Sequence, residues 1–262
     1  MSFRTTVETR SEKGLVREKN EDCAGLIQSP ATRQGTDAVY VVADGLGGHE
    51  NGEVASAMAV DLLLKSYDIK GADKTSLSIA TLEPSLAQTI RDISEAIYGV
   101  GTSGEAMHRD PSRAGMATTV TAALLAEDTL YLGHVGDSRA YLLRRGRLTQ
   151  LTEDHTQLAD QVRQGILSPE EARRYPGNVL TQAVGLEYPI TPFTKSVPLE
   201  EGDRLLLCSD GLHGFLDDQT IAEIIQREEG EGVVDSLIAE AIAMGSNDNI
   251  TALLVSFTAH GR

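Results

Sequence analysis

Tryptophan is absent from the 262 residues, and phenylalanine and tyrosine together number only 11 (4 and 7). A chain this poor in rings must build its core from aliphatic side chains. No stretch approaches the ~20 apolar residues of a membrane span, and the N-terminus shows no signal peptide, so no membrane partner is expected. Cysteine is confined to Cys23 and Cys208, which excludes a disulfide framework and points to two reduced thiols in a cytoplasmic setting. Basic residues are also scarce: 23 against 39 acidic, a net charge of −16. Nucleic acid and anionic membranes both require basic faces, so neither is expected as a main partner. No Cys/His cluster has zinc spacing. Regular β-α-β alternation, internal repeats and low-complexity tails are missing too, and the length fits a single domain over residues 1–262.

What is present centres on Val39–Ser56, VYVVADGLGGHENGEVAS. The β-branched run Val39–Ala43 reads as a buried strand ending in Asp44, followed by four glycines and then by Glu53-Val-Ala-Ser opening a helix. A carboxylate there, beside backbone able to bend closely, suits ion binding. Taken alone, it reads first as an Asp-Gly turn. The pattern recurs at Val135-Gly-Asp137-Ser and at Leu207-Cys-Ser-Asp210-Gly, so three acid-tipped strands can converge on one pocket.

Further strands are expected over Phe3–Arg10, Cys23–Gln28, Asp203–Ser209 and Ile250–Phe257. An antiparallel meander is expected over Gly115–Leu151. Helices are expected at Glu53–Tyr67, Ser85–Val100, Asp217–Gln226 and Val233–Met244. The polar insert Asp154–Asn178, with Ser168 capping a short helix, reads as a lid or docking flap. The architecture these elements favour is α+β: two packed antiparallel sheets, a β-sandwich, with helices on both outer faces. A single antiparallel sheet with helices on one side is the alternative.

The acidic candidates are Glu21, Asp22, Asp44, Asp137, Asp210 and Asp248, with Arg17 as the nearby cation. Crowded carboxylates repel unless a cation compensates, and hard oxygen donors favour Mg²⁺ or Mn²⁺. Two such ions would acidify a shared water for in-line attack on a phosphate ester, with Arg17 offering its fork of donors to the phosphate.

Six blocks stand in order: Gly14-Leu-Val-Arg-Glu-Lys-Asn-Glu-Asp22, Ala43-Asp-Gly-Leu-Gly-Gly-His49, Gly115-Met-Ala-Thr-Thr119, Val135-Gly-Asp-Ser-Arg139, Cys208-Ser-Asp-Gly211 and Asn247-Asp-Asn-Ile-Thr251. Through them the chain resembles the metal-dependent protein phosphatase family, protein phosphatase 2C, in its bacterial-type serine/threonine form, over roughly Arg4 to Phe257. The resemblance implies a β-sandwich flanked by helices and two core Mn²⁺ or Mg²⁺ ions, with a weaker third. Asp44 would bridge the core ions and the Gly45 carbonyl would bind the second. Asp210 and Asp248 would complete the first site, Glu21 would reach the second through water with Asp22 in support, and Asp137 with Asp210 would form the third. Arg17 would clamp the substrate phosphate, while Thr118, Thr119 and Asn249 would orient the ligands. Some family members carry a histidine where this chain has Leu46. His49 is the nearest replacement as general acid; otherwise a metal-bound water protonates the leaving group, or none is needed. His134 reads as a core histidine, and His155 and His213 as loop residues near the motifs.

The expected activity is hydrolysis of phosphoserine and phosphothreonine in proteins, opposing Ser/Thr kinases, by a monomer. A pseudophosphatase scaffold and a structural cation-binding domain are the alternatives. Retention of every expected acid argues against the first, and Arg17 beside Glu21 against the second. The glycine cluster lacks the Gly-Lys-Ser/Thr ending of a P-loop.

Overall fold

The computed structural model describes residues 3–32, 35–46, 51–69, 78–102, 115–172, 175, 179–186, 189–227 and 231–259. Its strands are β1 (Phe3–Glu12), β2 (Asp22–Gln28), β3 (Ala38–Leu46), β4 (Ala117–Thr118), β5 (Val120–Ala126), β6 (Thr129–Val135), β7 (Arg139–Arg144), β8 (Arg147–Gln150), β9 (Phe193–Pro198), β10 (Arg204–Cys208) and β11 (Ile250–Ala259). The helices are α1 (Asn51–Tyr67), α2 (Ile79–Thr102), α3 (Gln157–Arg163), α4 (Pro169–Ala172), α5 (Asp210–His213), α6 (Asp218–Arg227) and α7 (Val233–Ala243). One antiparallel sheet runs β1-β11-β10-β7-β8, the other β2-β3-β5-β6-β9, with β4 pairing β3 off the main path. Among the described residues no helix is long and apolar enough to cross a membrane.

Strand parity explains the layering. Ala38, Tyr40 and Val42 of β3 join Leu205 and Leu207 of β10 and Leu253, Val255 and Phe257 of β11 in a core between the sheets. Their alternates Val39, Val41 and Ala43 face the opposite way, into a second cluster with Ala55, Leu63, Leu86 and Ile90 of α1 and α2. Leu206, Cys208, Ala252 and Leu254 likewise meet Ile221, Ile225, Leu237 and Ile238 of α6 and α7. Each sheet is therefore apolar on both faces, as its near-continuous apolar runs demand. The sandwich with helices on both outer faces is as expected.

Four local readings are corrected. Gly115–Leu151 is not one meander: β5-β6 is a hairpin in one sheet and β7-β8 a hairpin in the other. The chain crosses between sheets at Gly136, whose φ of 112° only glycine adopts freely. Strand β3 runs past Asp44 to Leu46, because Gly45 and Leu46 pair with Thr118 and Ala117 of β4. β9 was not anticipated; its mixed sequence FTKSVP sits on a sheet edge beside β6, half exposed. His213 lies on α5, not in a loop, since Asp210 starts a short helix there. Ser168 does cap α4, in a reciprocal capping box: its hydroxyl accepts from Glu171 N at 3.2 Å while its own N–H donates to Glu171 Oε2 at 2.8 Å. The C-terminal part of the expected flap, apart from Tyr175, lies outside the described residues.

Both cysteines are free thiols, Cys208 buried and Cys23 half-buried. The longest pairing is β1 with β11, register Phe3↔Ala259 through Glu12↔Ile250. Its Ile250 end adjoins Asp248 and Asn249, so one end of the sandwich gathers the acidic motifs.

Candidate active site

Parity also aims Asp44. It continues the Tyr40, Val42 series of β3 and so projects at the mouth between the two sheets. Asp22 is its cross-strand partner on β2. Asp137 lies in the turn where the chain crosses between sheets. Asp210 opens α5 just after β10, and Asp248 precedes β11. Five carboxylates from five chain segments thus meet at one end of the sandwich.

Their electrostatics show how close they are. Asp44 is held well above the ordinary carboxylate range, first by burial and then by the charges of Asp22, Asp210, Asp137 and Asp248. Asp137 is pushed to about 7 by burial and then by Asp210. Burial raises Asp22 to about 6, partly offset by its hydrogen bond from Ser209. Asp210 rises through burial and the charge of Asp248, and Glu21 mainly through burial. Asp210 Oδ1 is buried without any hydrogen-bond partner. Among the described residues, no group of three or more His, Cys, Asp or Glu side chains is arranged so that it could hold a metal ion as it stands. The acids are repelling neighbours whose orphaned oxygen and shared charge suit hard divalent cations.

The backbone is equally specialised. A Cβ on Gly45 would stand 2.2 Å from Gly52 O and 2.6 Å from Glu21 O. A Cβ on Gly52 would meet the Glu21 carboxyl at 2.9 Å. Two glycines thus let β3, the start of α1 and Glu21 close upon one another, with Gly45 N donating to Glu21 O at 3.1 Å.

The family model for protein phosphatase 2C matches residues 19–242, most of the chain. The chain belongs to the protein phosphatase 2C family. It is 36% identical over 250 residues to the serine/threonine phosphatase stp of Listeria monocytogenes, covering 95% of this chain and 94% of that protein. The structure of the serine/threonine phosphatase Stp1 from Staphylococcus aureus superimposes with a TM-score of 0.85 at 30% identity, covering 100% of this chain and 97% of that one. The catalytic domain of the serine/threonine protein phosphatase PstP, solved with two manganese ions, gives a TM-score of 0.79 at 33% identity, covering 98% of this chain and all of that one.

In this protein phosphatase 2C chain the predicted supporting residues are found bonded to the predicted acids. Thr119 exchanges two bonds with Asp44, Asp44 N to Thr119 Oγ1 at 2.9 Å and Thr119 N to Asp44 O at 2.8 Å. The Thr118 hydroxyl donates to Asp44 O at 2.9 Å. Asn249 accepts from Glu21 N at 2.8 Å and donates to Lys13 O and Lys19 O, both at 2.9 Å. That one amide fastens both feet of the Gly14–Glu18 loop. Arg17, exposed on the loop, donates to Asp248 Oδ2 at 2.6 Å, so its guanidinium is tethered to the acids while still reached by solvent. His49 lies outside the described residues.

His134 is fully buried, as expected of a core histidine, and bonds Thr121 through Nδ1 at 2.9 Å. Burial takes His134 and His213 down to about 3 and lowers His155, so none of the three is a cation at neutral pH. Sequence reasoning missed Ser209, Ser138 and Gly52. The Ser209 hydroxyl donates to Asp22 Oδ2 at 2.7 Å and accepts from Thr251 N at 2.9 Å. Ser138 Oγ lies 2.7 Å from Thr119 Oγ1. Ser138 and Ser209 each neighbour a flagged aspartate in the sequence; Gly52 is one of the four glycines read as backbone able to bend closely, and what went unread is that it closes on Gly45 and Glu21.

Proposed function

We propose that this chain is a metal-dependent phosphatase that hydrolyses phosphoserine and phosphothreonine in proteins, using Mn²⁺ or Mg²⁺ held by the convergent acids. The observation that carries the reading is the crowding of Asp137, Asp210 and Asp248, from separate elements, upon the buried Asp44, with Arg17 hydrogen-bonded to Asp248. Asp44 and the Gly45 carbonyl would be the ligands at the centre of the two-ion site. Asp210, with its unpartnered oxygen, and Asp248 complete the first ion's site. Glu21, with Asp22 behind it, serves the second, and Asp137 with Asp210 a weaker third. When bound, the ions neutralise the crowded carboxylates and supply an acidified water.

The chain's own residues perform the remaining tasks. Arg17 presents a planar fork to the phosphate oxygens and, while it waits, is kept near them by Asp248. Thr118 and Thr119 hold the Asp44 peptide so that its carboxylate does not turn away. Asn249 fixes the Arg17 loop and Glu21 together, so phosphate and ion sites keep a constant separation. His49, three residues after Leu46 in the sequence, is the candidate to protonate the leaving oxygen. A phosphoprotein substrate implies a Ser/Thr kinase upstream, which this enzyme opposes. With two free thiols and an acidic surface, we place it in the cytoplasm as a monomer, away from nucleic acid and membranes.

The test is phosphate release from a phosphothreonine peptide, with Mn²⁺ and with chelator, for the parent and for Asp44→Asn. Release that requires metal and is abolished by the substitution is expected. No release from a folded, metal-loaded parent would leave a silent binding module as the better reading.

A further inference from the structure

Two buried histidines grip the turn that carries Asp137, and the reading above gives them no task. His213 sits three residues after Asp210 on α5, and its Nε2–H donates to the Asp137 carbonyl over 2.9 Å. From the other side His155 N donates to Gly136 O at 2.7 Å, while Gly136 N donates back to His155 Nδ1 at 3.2 Å. The His155 ring is stacked on His134, centroids 5.1 Å apart, which limits its movement. The next residue, Ser138, is bonded through its hydroxyl to Thr119 and through its carbonyl to the Thr121 hydroxyl at 3.1 Å. The turn has no slack beneath it: a Cβ on Gly136 would stand 2.5 Å from Thr119 Cγ2.

Of these bonds only the one from His213 joins the Asp137 turn to the helix that carries Asp210. Residues three apart share a helix face, so the His213 ring and the Asp210 carboxylate move as one body. We propose that His213 is a positioning residue: its bond to the Asp137 carbonyl sets the distance between Asp137 and Asp210, and with it the affinity of the weakest divalent-ion site. This rests on the ion assignment proposed above. A satisfied carbonyl alone would need no side chain of this kind; a hydrogen-bond donor locked to the α5 turn is what couples the two acids.

The experiment compares the parent, His213→Leu and His213→Gln, since glutamine Nε2 can reach the same carbonyl. Mn²⁺ binding is followed by calorimetric titration, amide exchange over residues 135–139 by mass spectrometry, and turnover with a phosphothreonine peptide. His213→Leu should weaken the weakest Mn²⁺ site about tenfold or more, as loss of a ligand-orienting bond does. It should also speed exchange of the turn and leave the tighter Mn²⁺ binding intact. His213→Gln should return all three readouts toward the parent. Parental weak-site affinity in the leucine variant would overturn the proposal, as would a glutamine variant damaged as badly as leucine, since bulk rather than the bond would then matter. If the leucine variant does not fold, glutamine decides alone: retained affinity supports the bond, lost affinity refutes it. A parent that turns over substrate but binds only two Mn²⁺ ions would sink this proposal and leave the phosphatase standing. A parent that neither binds nor turns over would sink both.

Discussion

Replacing Asp137 with asparagine should make the metal-free protein more stable, by an amount that grows as pH rises from about 4 to about 7. Asp137 is buried, with 5% of its surface exposed. Its carboxyl titrates at about 7 in the folded chain against 3.8 when exposed. The folded state therefore holds a proton that the unfolded state has released, and parent stability falls as pH rises between those values. Moving the titration that far corresponds to about 4 kcal/mol at full effect. Relaxation around the ionised group and water entry should leave about 2 kcal/mol observable. Asparagine has nearly the same shape and no charge to acquire, so it escapes this loss. For a domain of this size that is a gain of about 4–8 °C in melting temperature. The assay is thermal unfolding of both proteins in chelator at pH 5 and pH 8. The variant should melt above the parent at both pH values, by clearly less at pH 5, where the pH is only part-way from 3.8 to about 7, than at pH 8, where the whole loss is present. Saturating Mn²⁺ should remove most of the parent's pH dependence, because the ion takes the place of the proton. Equal melting at pH 8, or a variant that gains equally at both pH values, would refute the claim that charge crowding strains this site.

Other outcomes follow from single contacts. Asn249→Ala breaks three side-chain bonds to the Arg17 loop and Glu21 and should cost about 3 kcal/mol in urea unfolding. It should also raise KM for phosphopeptides, because the loop is no longer fastened at both feet. Gly45→Ala drives a methyl into the backbone oxygens of Gly52 and Glu21 and should destabilise by about 2 kcal/mol or more, read by the same method. Arg17→Lys keeps the charge but loses the planar fork; KM for a phosphothreonine peptide should rise while Mn²⁺ affinity, measured by calorimetry, stays near the parent's. An unchanged KM would make Arg17 only an ion-pair partner of Asp248.

Much of this was legible because strand and helix periods differ. The apolar runs of β3, β10 and β11 announce strands covered on both faces, and only a sandwich with two helical layers covers them all. Asp44, Asp137 and Asp210 were legible because each ends or follows such a run, and Glu21, Asp22 and Asp248 because their motifs come in order. Sheet membership was not: β5, β6, β7 and β8 carry the same short-strand pattern, and nothing in it marks the change of sheet at Gly136. β9 escaped because an edge strand buries little and so shows little apolar signal. His213 was taken for a loop residue because a four-residue helix has no periodicity to read. Ser138 and Ser209 act through bonds to backbone and side chains brought close only by the fold, as does Gly52 through contact.

The pairing of β1 with β11 has a consequence for how this enzyme can be joined to other things. Phe3 and Ala259 lie side by side at one end of a ten-residue ladder, and Glu12 and Ile250 at the other, beside the acids. At about 3.4 Å per residue the two ends are separated by about 30 Å. A tether joined at Phe3 or Ala259 would stand at the end of this ladder away from the acids. The same neighbourhood of ends makes the chain a candidate for circular permutation, in which a short linker closes Phe3 onto Ala259 and new ends are cut in a distant hairpin.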